Sequence, residues 1–372
     1  MRTDTVRNYA VKAARVRRSE WEKKSLTRSQ NRKWKFTVNF PLRTKGKSGK
    51  HFAGKEHLFM EVLLQILLVV VGFVMLVKGA DWFVDGAAGI AERFGIPQLV
   101  IGLTIVAMGT SAPEAAVSIS AAFKGTVDIT IGNVVGSNIL NILIILGLTS
   151  VIVAVAVQRS TTRYEIPFMI GVTVLLLVFG MTGGVVSRLE GAILWFFFLI
   201  YIIYLYRMTK NQKPQEEEEK KQKMSIGKLL FLVFVGLVLV VFGSDVTVDA
   251  ATALAKIVGL SDKFIGLTII ALGTSLPELV TSVSAARKGK ADIAIGNIVG
   301  SNIVNILFVV GTTALILPVP FASGFVVDMG IAIASALLLF FCVFRRHKLD
   351  RAGGAIMLVG YVAYFIYLCI GK

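Results

Sequence analysis

Two glutamates lie inside long apolar stretches, and each one ends the same short motif. Glu114 ends the sequence GTSAPE and Glu278 ends the sequence GTSLPE. A carboxylate at membrane depth costs roughly 2.5–3.5 kcal/mol unless a partner compensates it, so an acid in such a place is expected to have a function. Hard cations are suitable partners, because they bind carboxylate, hydroxyl and carbonyl oxygens.

Further oxygen donors surround each glutamate at helical spacing. A helix that contains Glu114 places Ser111, Thr110 and Ala107 on the same face, because they lie three, four and seven residues away. Pro113 has no N–H group, which leaves carbonyls about one turn earlier without their usual partner. In lipid such carbonyls need another partner, and a cation is one. The second motif repeats the set as Ala271, Thr274, Ser275, Pro277 and Glu278.

The apolar segment that follows each motif carries a polar stripe at i, i+4 and i+8. The stripe is Asn133, Ser137 and Asn141 in one place and Asn297, Ser301 and Asn305 in the other. Serine, threonine and asparagine in membrane helices also bond to backbone or to a neighbouring helix. That structural alternative stays open for each hydroxyl and amide, whereas the two glutamates favour a cation site near the membrane midplane.

Other chemistry finds little support in the sequence. Cys342 and Cys369 lie in apolar stretches without metal-ligand spacing, and the three histidines are scattered in tails and loops. An intramembrane hydrolase built on Ser111 and Glu114 would lack a histidine or lysine base nearby. We therefore predict that the chain is not an enzyme and needs no cofactor. The acids Asp81, Asp85, Asp245 and Asp249 are expected nearer the membrane interface, in structural roles.

An internal repeat determines the predicted architecture. Residues 79 to 147 align without a gap with residues 243 to 311, and 38 of the 69 pairs are identical. Each half contains five apolar segments, and an odd number requires the second copy to enter the membrane upside down. The fold class is therefore all-α: a polytopic membrane protein with ten transmembrane helices as two inverted five-helix repeats. The predicted segments are 60–93, 97–123, 126–150, 165–182, 187–206, 227–257, 261–287, 290–315, 323–344 and 353–370.

Composition agrees with a membrane protein and locates its boundaries. The chain is 55% hydrophobic with a mean hydropathy of +0.73, far more apolar than a soluble domain. We expect a first repeat at 60–207, a charged cytoplasmic linker at 208–226 and a second repeat at 227–372. Residues 1–59 form a basic tail with a net charge of +13. The tail is expected to be disordered or surface-bound, or else upstream of a start at Met60; a nucleic-acid arm is poorly motivated.

Loop charges predict the orientation. Lys124 stands alone after the second segment, whereas Arg287, Lys288 and Lys290 occupy the matching place after the seventh. By the positive-inside rule, this bias places the loops after odd-numbered segments in the cytoplasm and both ends of the membrane domain outside it. The expected location is a prokaryotic inner membrane. The expected partners are lipid and the transported ions, with no nucleic acid and no obligate protein partner.

The two GTS-x-PE motifs and the paired GSNI-x-NI blocks resemble the alpha repeats of the cation/calcium exchanger superfamily, in its sodium/calcium exchanger branch. The resemblance covers residues 60 to 372 and implies a secondary antiporter that exchanges Na⁺ for Ca²⁺ by alternating access. It implies that Glu114 and Glu278 bind Ca²⁺ and share Na⁺. The other implied ligands are the carbonyls of Thr110, Thr274, Ala107 and Ala271, the hydroxyls of Ser111, Ser275, Ser137 and Ser301, and the central amides of Asn141 and Asn305.

Two departures bear on the coupling ion. Many family members have aspartate where this chain has Asn305, so the site has only two formal negative charges and potassium co-transport is disfavoured. The proton-coupled branch typically has a Gly-Asn-x-x-Glu motif, whereas this chain has Gly-Thr-Ser-x-Pro-Glu. The sequence therefore favours sodium coupling. A proton-coupled calcium or other divalent-cation exchanger is the alternative in the same class, and a channel is the alternative outside it.

Overall fold

A computed structural model of the chain describes residues 50–210, 224–260, 269 and 271–370. The basic tail up to residue 49, the core of the predicted linker at 211–223, and residues 261–268 and 270 of the seventh predicted segment lie outside the described residues. The chain divides into a unit Met1–Glu56 and a unit His57–Lys372. All the site residues predicted from the sequence belong to the second unit.

Long apolar helices make up almost all of the described residues. Eight are long and apolar enough to cross a membrane, and a bent pair makes a ninth span. The remaining predicted segment, 261–287, is described only at residue 269 and from residue 271 onward. The prediction of an all-helical polytopic protein is confirmed. The helices are α1 Lys50–Phe94, α2a Gln98–Thr110, α2b Ala112–Lys124, α3 Ile129–Ile152, α4 Thr161–Gly183, α5 Arg188–Lys210, α6 Ile226–Ile257, α7a Ala271–Thr274, α7b Leu276–Arg287, α8 Ala291–Ile316, α9 Phe325–Phe344 and α10 Arg351–Ile370.

The equivalent helices α1 and α6 cross each other antiparallel at glycines. A Cβ atom on Gly79 would lie 2.8 Å from the Gly236 carbonyl oxygen, and one on Gly236 would lie 2.8 Å from the Gly79 carbonyl oxygen. The same reciprocal relation joins Gly72 and Gly243 at 2.9 Å. Rising residue numbers in α1 therefore pair with falling numbers in α6. Two equivalent helices that run in opposite directions are what an inverted repeat requires.

Four two-residue strands in the loops obey the same symmetry. The strands are β1 Val155–Ala156, β2 Val185–Val186, β3 Val319–Pro320 and β4 Lys348–Leu349. β1 pairs antiparallel with β4, and β2 pairs antiparallel with β3. β1 corresponds to β3 at the repeat offset, and β2 corresponds to β4 at an offset one residue shorter, so each pair joins one half of the protein to the other. These strands were not predicted from the sequence.

The core of the fold is a pair of equivalent helices, α3 and α8, with α2a packed against α8. The most apolar window of α8 is 94% buried, and that of α3 is 72% buried, against 11% for α1. The outer helices therefore present their apolar side chains to lipid. The polar residues that the sequence analysis selected lie on the buried central helices, where contact with lipid is excluded.

Candidate cation site

A break in the second span positions Glu114. Helix α2a widens into a π-helical turn at Gly102–Val106 and ends at Thr110, and Ser111 leaves helical geometry with φ −80° and ψ 5°. Helix α2b starts at Ala112 after a bend of 51°. Pro113 lies in the first turn of α2b, where a missing N–H breaks no helical bond. Glu114 therefore lies at the N-terminal end of α2b, where the helix dipole favours negative charge.

The second repeat has the same break. Ser275 has φ −97° and ψ 6°, and Pro277 and Glu278 lie in the first turn of α7b. Ala271 begins the short helix α7a and Thr274 ends it, in the positions that Ala107 and Thr110 occupy in the first repeat. The predicted pairing of the two motifs is therefore reproduced in the local backbone.

Both glutamates are buried, each with 1% of its surface exposed. The Ser137 hydroxyl donates to Oε1 of Glu114 at 3.4 Å, and the Ser111 hydroxyl donates to Oε1 of Glu278 at 3.1 Å. Ser111 precedes Glu114 by one helical turn and belongs to the first repeat, whereas Glu278 belongs to the second. The structure therefore brings the two GTS-x-PE motifs together, as the sequence analysis expected.

The two repeats differ in detail at this point. The Ser111 amide donates to the Ala107 carbonyl at 3.0 Å, whereas the equivalent Ser275 amide donates to Leu272 at 3.2 Å. The Ser111 hydroxyl binds a glutamate, but the buried Ser275 hydroxyl has no hydrogen-bond partner among the described residues. Identical motifs thus adopt two conformations, as expected when one half of an inverted pair is arranged differently from the other.

Helices α2a and α8 approach closely enough to exchange polar contacts. A Cβ atom on Gly300 would lie 2.8 Å from the Cα atom of Leu103 and from the Cβ atom of Ala107, so only glycine fits. This approach brings the Ser301 hydroxyl 3.4 Å from the Ala107 carbonyl oxygen, to which it donates. The Thr110 hydroxyl lies 3.0 Å from Oδ1 of Asn297. Three of the predicted ligand positions, Ala107, Thr110 and Ser301, are therefore close to the contact between these two helices.

Asn133 and Asn297 serve as bonds between helices. Asn133 donates to the Glu114 carbonyl at 3.3 Å and to the Ser118 hydroxyl at 3.0 Å. Asn297 makes the equivalent bonds, to the Glu278 carbonyl at 3.3 Å and to the Ser282 hydroxyl at 2.9 Å. For these two amides the structural alternative left open above is the one observed. Their effect is to attach each glutamate-bearing helix to the next helix.

Four asparagines meet where α3 and α8 pack together. Asn141 and Asn305 were predicted from the sequence, and each begins a π-helical turn, Asn141–Leu146 and Asn305–Val310. Asn138 and Asn302 were missed, although they are the first asparagines of the GSNI-x-NI blocks. They lie off the i, i+4, i+8 stripe on which the analysis relied. All four are buried and hydrogen-bonded to one another across the repeats.

Several buried oxygens in this region have no hydrogen-bond partner in the described part of the protein. Five of them belong to predicted ligands, namely Oε2 of Glu114, Oε2 of Glu278, Oδ1 of Asn141, Oδ1 of Asn305 and Oγ of Ser275, whereas others, such as Oγ1 of Thr281 and Oε2 of Glu165, belong to residues outside the predicted set. A buried polar atom without a partner is costly, so such atoms usually mark a ligand, an ion or water. All five are able to accept or coordinate, and none is a nitrogen or sulfur atom. This donor set suits a hard cation such as Na⁺ or Ca²⁺.

Glu165 is a further buried acid, and it was not among the residues predicted from the sequence. Glu165 in α4 is 1% exposed and accepts a hydrogen bond from the Tyr204 hydroxyl of α5. These residues and Tyr201 line a cavity of about 390 Å³, and the Tyr201 hydroxyl donates to the Leu103 carbonyl at 3.2 Å. Glu165 is the first residue of the predicted segment 165–182, and no role was predicted for it. A similar pair joins the equivalent helices of the second repeat, where the Tyr364 hydroxyl of α10 donates to Oδ1 of Asp328 in α9 at 3.0 Å.

Ion pairs join the outer helix α1 to the end of α7b. The Lys288 ammonium group lies 2.8 Å from a carboxylate oxygen of Asp85 and 3.5 Å from one of Asp81, and Ser284 donates to Asp81 at 2.6 Å. Lys290 pairs with Glu92 at 2.9 Å. We call these contacts the α1–α7b latch. No described ion pair joins the equivalent Lys124 to Asp245 or Asp249 in the other repeat.

Comparisons with protein families and with known proteins identify relatives of this chain. The family model described as "Sodium/calcium exchanger protein" matches residues 64–207 and 228–370. The inner membrane protein YrbG of Escherichia coli is 34% identical over 322 residues, which cover 82% of this chain and 97% of YrbG. The sodium/calcium exchanger MaX1 of Methanosarcina acetivorans is 31% identical over 348 residues, which cover 82% of this chain and 99% of MaX1.

A solved structure of the sodium-calcium exchanger NCX_Mj, soaked with zero Na⁺ and Ca²⁺, has the same fold. Its TM-score is 0.71 at 32% sequence identity, and the alignment covers 82% of this chain and 99% of NCX_Mj. The chain is thus an integral multi-pass membrane protein of a transporter family and is not an enzyme. With two family matches, one in each repeat, and relatives aligned over nearly their full length, the chain belongs to the sodium/calcium exchanger protein family.

Proposed function

We propose that this protein exchanges Na⁺ for Ca²⁺ across the membrane by alternating access, at a midplane site centred on Glu114 and Glu278. The observation that carries the proposal is the set of five buried, unpartnered oxygens supplied by both repeats. Two of the five belong to carboxylates, which gives the site two formal negative charges. The names of the relatives MaX1 and NCX_Mj, both sodium/calcium exchangers, support the choice of ions.

The residues divide between the two ions by the chemistry of their oxygens. Ca²⁺ prefers six to eight oxygen ligands at short distances, so it would take both carboxylates together with backbone carbonyls. Na⁺ carries half the charge of Ca²⁺, so hydroxyl and carbonyl oxygens together with one carboxylate would suffice to bind it. In the proposed site Ca²⁺ binds Glu114, Glu278 and the carbonyls of Thr110 and Thr274, while Na⁺ binds Ser111, Ser275, Ser137, Ser301 and the carbonyls of Ala107 and Ala271, with Asn141 and Asn305 at the centre.

Charge balance makes the exchange obligatory in this proposal. One Ca²⁺ neutralises the two carboxylates, and so do two Na⁺ ions, with a third Na⁺ leaving a net charge of +1. Either load allows the helices to move without carrying bare carboxylates through a region of low dielectric constant. The unloaded site, with two negative charges, would be costly to move. The protein would therefore change conformation only when loaded with one ion species or the other.

The sodium gradient can supply the energy that calcium export needs. A tenfold gradient is worth about 1.4 kcal/mol per ion. One net charge moving through 100 mV adds about 2.3 kcal/mol. Three Na⁺ ions and one net charge therefore provide roughly 6.5 kcal/mol per cycle. This energy would maintain a ratio of Ca²⁺ concentrations between the two sides of the membrane of roughly four to five orders of magnitude.

The α1–α7b latch suggests how access alternates. In the proposed orientation the end of α7b faces the cytoplasm, so the latch joins α1 to α7b on that side. The equivalent residues Lys124, Asp245 and Asp249 lie toward the opposite side and are not paired among the described residues. An inverted repeat can exchange the conformations of its two halves. The opposite state would then release Lys288 and pair Lys124 with Asp245 and Asp249.

The orientation and the location in the cell are parts of the same proposal. The excess of Lys and Arg in the loops after odd-numbered segments places those loops in the cytoplasm. The relative YrbG is named as an inner membrane protein, which supports an inner (plasma) membrane location for this chain. The segment 208–226 would then connect the two repeats on the cytoplasmic side, and both ends of the membrane domain would lie outside the cytoplasm.

A flux measurement with two imposed gradients tests the coupling ion. Purified protein is reconstituted in liposomes, and ⁴⁵Ca²⁺ uptake is followed under either an outward Na⁺ gradient or an outward proton gradient. We expect uptake to follow the Na⁺ gradient and to ignore the proton gradient. Uptake that follows only the proton gradient would support the proton-coupled alternative. Downhill Ca²⁺ flux that needs neither gradient would indicate a channel.

A further inference from the structure

We propose that Asn138 and Asn302 are positioning residues that decide which end of the Asn141 and Asn305 side chains faces the ions. The inference rests on the proposed function, because it assumes that the amide oxygens of Asn141 and Asn305 serve the transported cations. It concerns two residues that belong to neither the predicted stripe nor the proposed ligand set. The four side chains are named the asparagine cluster below.

The asparagine cluster is a closed set of four hydrogen bonds across the two repeats. Asn138 donates from Nδ2 to the Asn302 carbonyl at 3.2 Å, and Asn302 donates from Nδ2 to the Asn138 carbonyl at 3.2 Å. Asn141 donates to Oδ1 of Asn302 at 2.9 Å, and Asn305 donates to Oδ1 of Asn138 at 3.1 Å. Every residue thus binds a residue of the other repeat. The four bonds form two pairs related by the repeat offset.

The direction of these bonds is set by the backbone. A main-chain carbonyl can only accept, so the side chains of Asn138 and Asn302 must point their NH₂ groups at each other's backbone. Their own Oδ1 atoms are then the groups that face Asn305 and Asn141. An amide that meets an acceptor must present its NH₂ group, which turns its Oδ1 atom the other way. The orientation of both central amides follows from the two backbone bonds.

The consequence is a pair of amide oxygens that are available to a cation. Oδ1 of Asn141 and Oδ1 of Asn305 are buried and have no hydrogen-bond partner among the described residues. Reversing either amide would bring two acceptor oxygens together and would point an NH₂ group toward the ions. An NH₂ group repels a cation and offers no lone pair. Asn138 and Asn302 therefore determine whether the centre of the site attracts or repels Na⁺ and Ca²⁺.

The asparagine cluster lies in the buried centre of the protein. Its four members are between 0% and 4% exposed, and they lie where α3 and α8 pack together. Asn141 begins one π-helical turn and Asn305 begins the other, in equivalent places. A π-helical turn is a common feature of functional sites. Residues that orient metal ligands without touching the ion typically change its affinity by about 10- to 100-fold when they are removed.

A double-mutant cycle separates positioning from a general structural role. The variants are Asn302→Ala, Asn141→Ala and the two together, and the readout is the Ca²⁺ concentration that half-saturates Na⁺-driven ⁴⁵Ca²⁺ uptake in liposomes. If Asn302 acts through Asn141, we expect each single variant to raise this concentration by about tenfold or more. The double variant should then be no worse than Asn141→Ala alone. Effects that multiply in the double variant would overturn the proposal.

A second cycle and a control pair keep the test valid if one variant is unstable. The mirror cycle uses Asn138→Ala and Asn305→Ala. Here too we expect the double variant to have a half-saturating Ca²⁺ concentration no higher than that of Asn305→Ala alone. The control pair is Asn302→Ala with Ser275→Ala, since Ser275 has no described hydrogen bond to the asparagine cluster and its effect should multiply. Unfolding temperature measured without ions identifies variants that merely fail to fold. Multiplying effects in both cycles would contradict positioning.

An equilibrium readout distinguishes failure of this inference from failure of the proposed function. Ca²⁺ stabilises the folded protein in proportion to its binding, so the rise in unfolding temperature with added CaCl₂ reports affinity without transport. If wild-type protein shows no Na⁺-driven uptake but is stabilised by Ca²⁺, the exchange proposal fails. The two mutant cycles are then evaluated from the rise in unfolding temperature with added CaCl₂ instead of from uptake. If Asn141→Ala and Asn305→Ala leave Ca²⁺ stabilisation unchanged, the positioning role is contradicted whatever the transport result.

Discussion

The hydroxyl of Ser111 donates a 3.1 Å hydrogen bond to the carboxylate of Glu278, a residue that enters the membrane in the opposite repeat. The equivalent hydroxyl of Ser275 has no such bond among the described residues. The two motifs differ at only one position within GTS-x-PE, so the difference reflects conformation and not composition. A contact made by one repeat and not by the other is a marker of the conformational state.

This asymmetry predicts unequal effects of two equivalent substitutions. Ser111→Ala leaves Oε1 of buried Glu278 without its donor, and a hydrogen bond to a charged group is worth about 1.5–3 kcal/mol. Ser275→Ala removes a hydroxyl with no described bond. In the absence of Na⁺ and Ca²⁺ we expect Ser111→Ala to lower the unfolding temperature clearly more than Ser275→Ala does. Equal shifts for the two variants, measured in detergent with a chelator, would show that the Ser111 bond is not formed in the ion-free protein.

The close approach of α2a and α8 at Gly300 is a steric requirement of the site. Gly300→Ala places a methyl group 2.8 Å from Leu103 and Ala107, so the helices must separate, and overpacking of this kind costs about 1–3 kcal/mol. We expect a loss of Ca²⁺ affinity, because Ser301 and the Ala107 carbonyl would move apart. Gly171→Ala is the control, since no described atom lies within 4 Å of its added Cβ. Normal Ca²⁺-dependent uptake in Gly300→Ala would contradict the requirement.

The α1–α7b latch predicts a shift between conformations. Lys288→Ala removes the ammonium group that binds both Asp81 and Asp85. Partly exposed ion pairs are weak, so we expect the population open at that side to rise only about two- to fivefold. Labelling of a cysteine introduced beside the latch measures the change. The control is Lys124→Ala, because Lys124 is the repeat equivalent of Lys288 but forms no described ion pair with Asp245 or Asp249. Equal labelling of both variants would argue against a latch on one side.

The sequence predicted the helices and the two motifs well because both depend on local signals. Membrane-length apolar runs specify spans, and Pro113 and Pro277 specify helix breaks that lie one or two residues away. The repeat then implied that the two glutamates meet. The roles of Asn138 and Asn302 depend on hydrogen bonds between the repeats. The burial of Glu165 is accompanied by a hydrogen bond from Tyr204, which lies 39 residues later in the chain. Such partners are determined by packing, which periodicity along one helix does not report.

The asymmetry between equivalent residues is also invisible to a repeat alignment. Ser111 and Ser275 are the same residue at equivalent positions, and so are Lys124 and Lys288. A sequence describes both states of a transporter at once, whereas a structure describes one of them. The alignment could therefore predict which residues form the site but not which copy holds a given bond.

The most direct test of the central claim is Na⁺-gradient-driven ⁴⁵Ca²⁺ uptake in liposomes by Glu114→Gln and Glu278→Gln, each beside Glu165→Gln as a matched control. All three substitutions neutralise a buried carboxylate without changing its size. We expect the first two to reduce uptake by about tenfold or more, because Ca²⁺ affinity depends on ligand charge, and the third to retain exchange. Exchange that persists in both Glu114→Gln and Glu278→Gln would contradict a cation site shared between the two repeats.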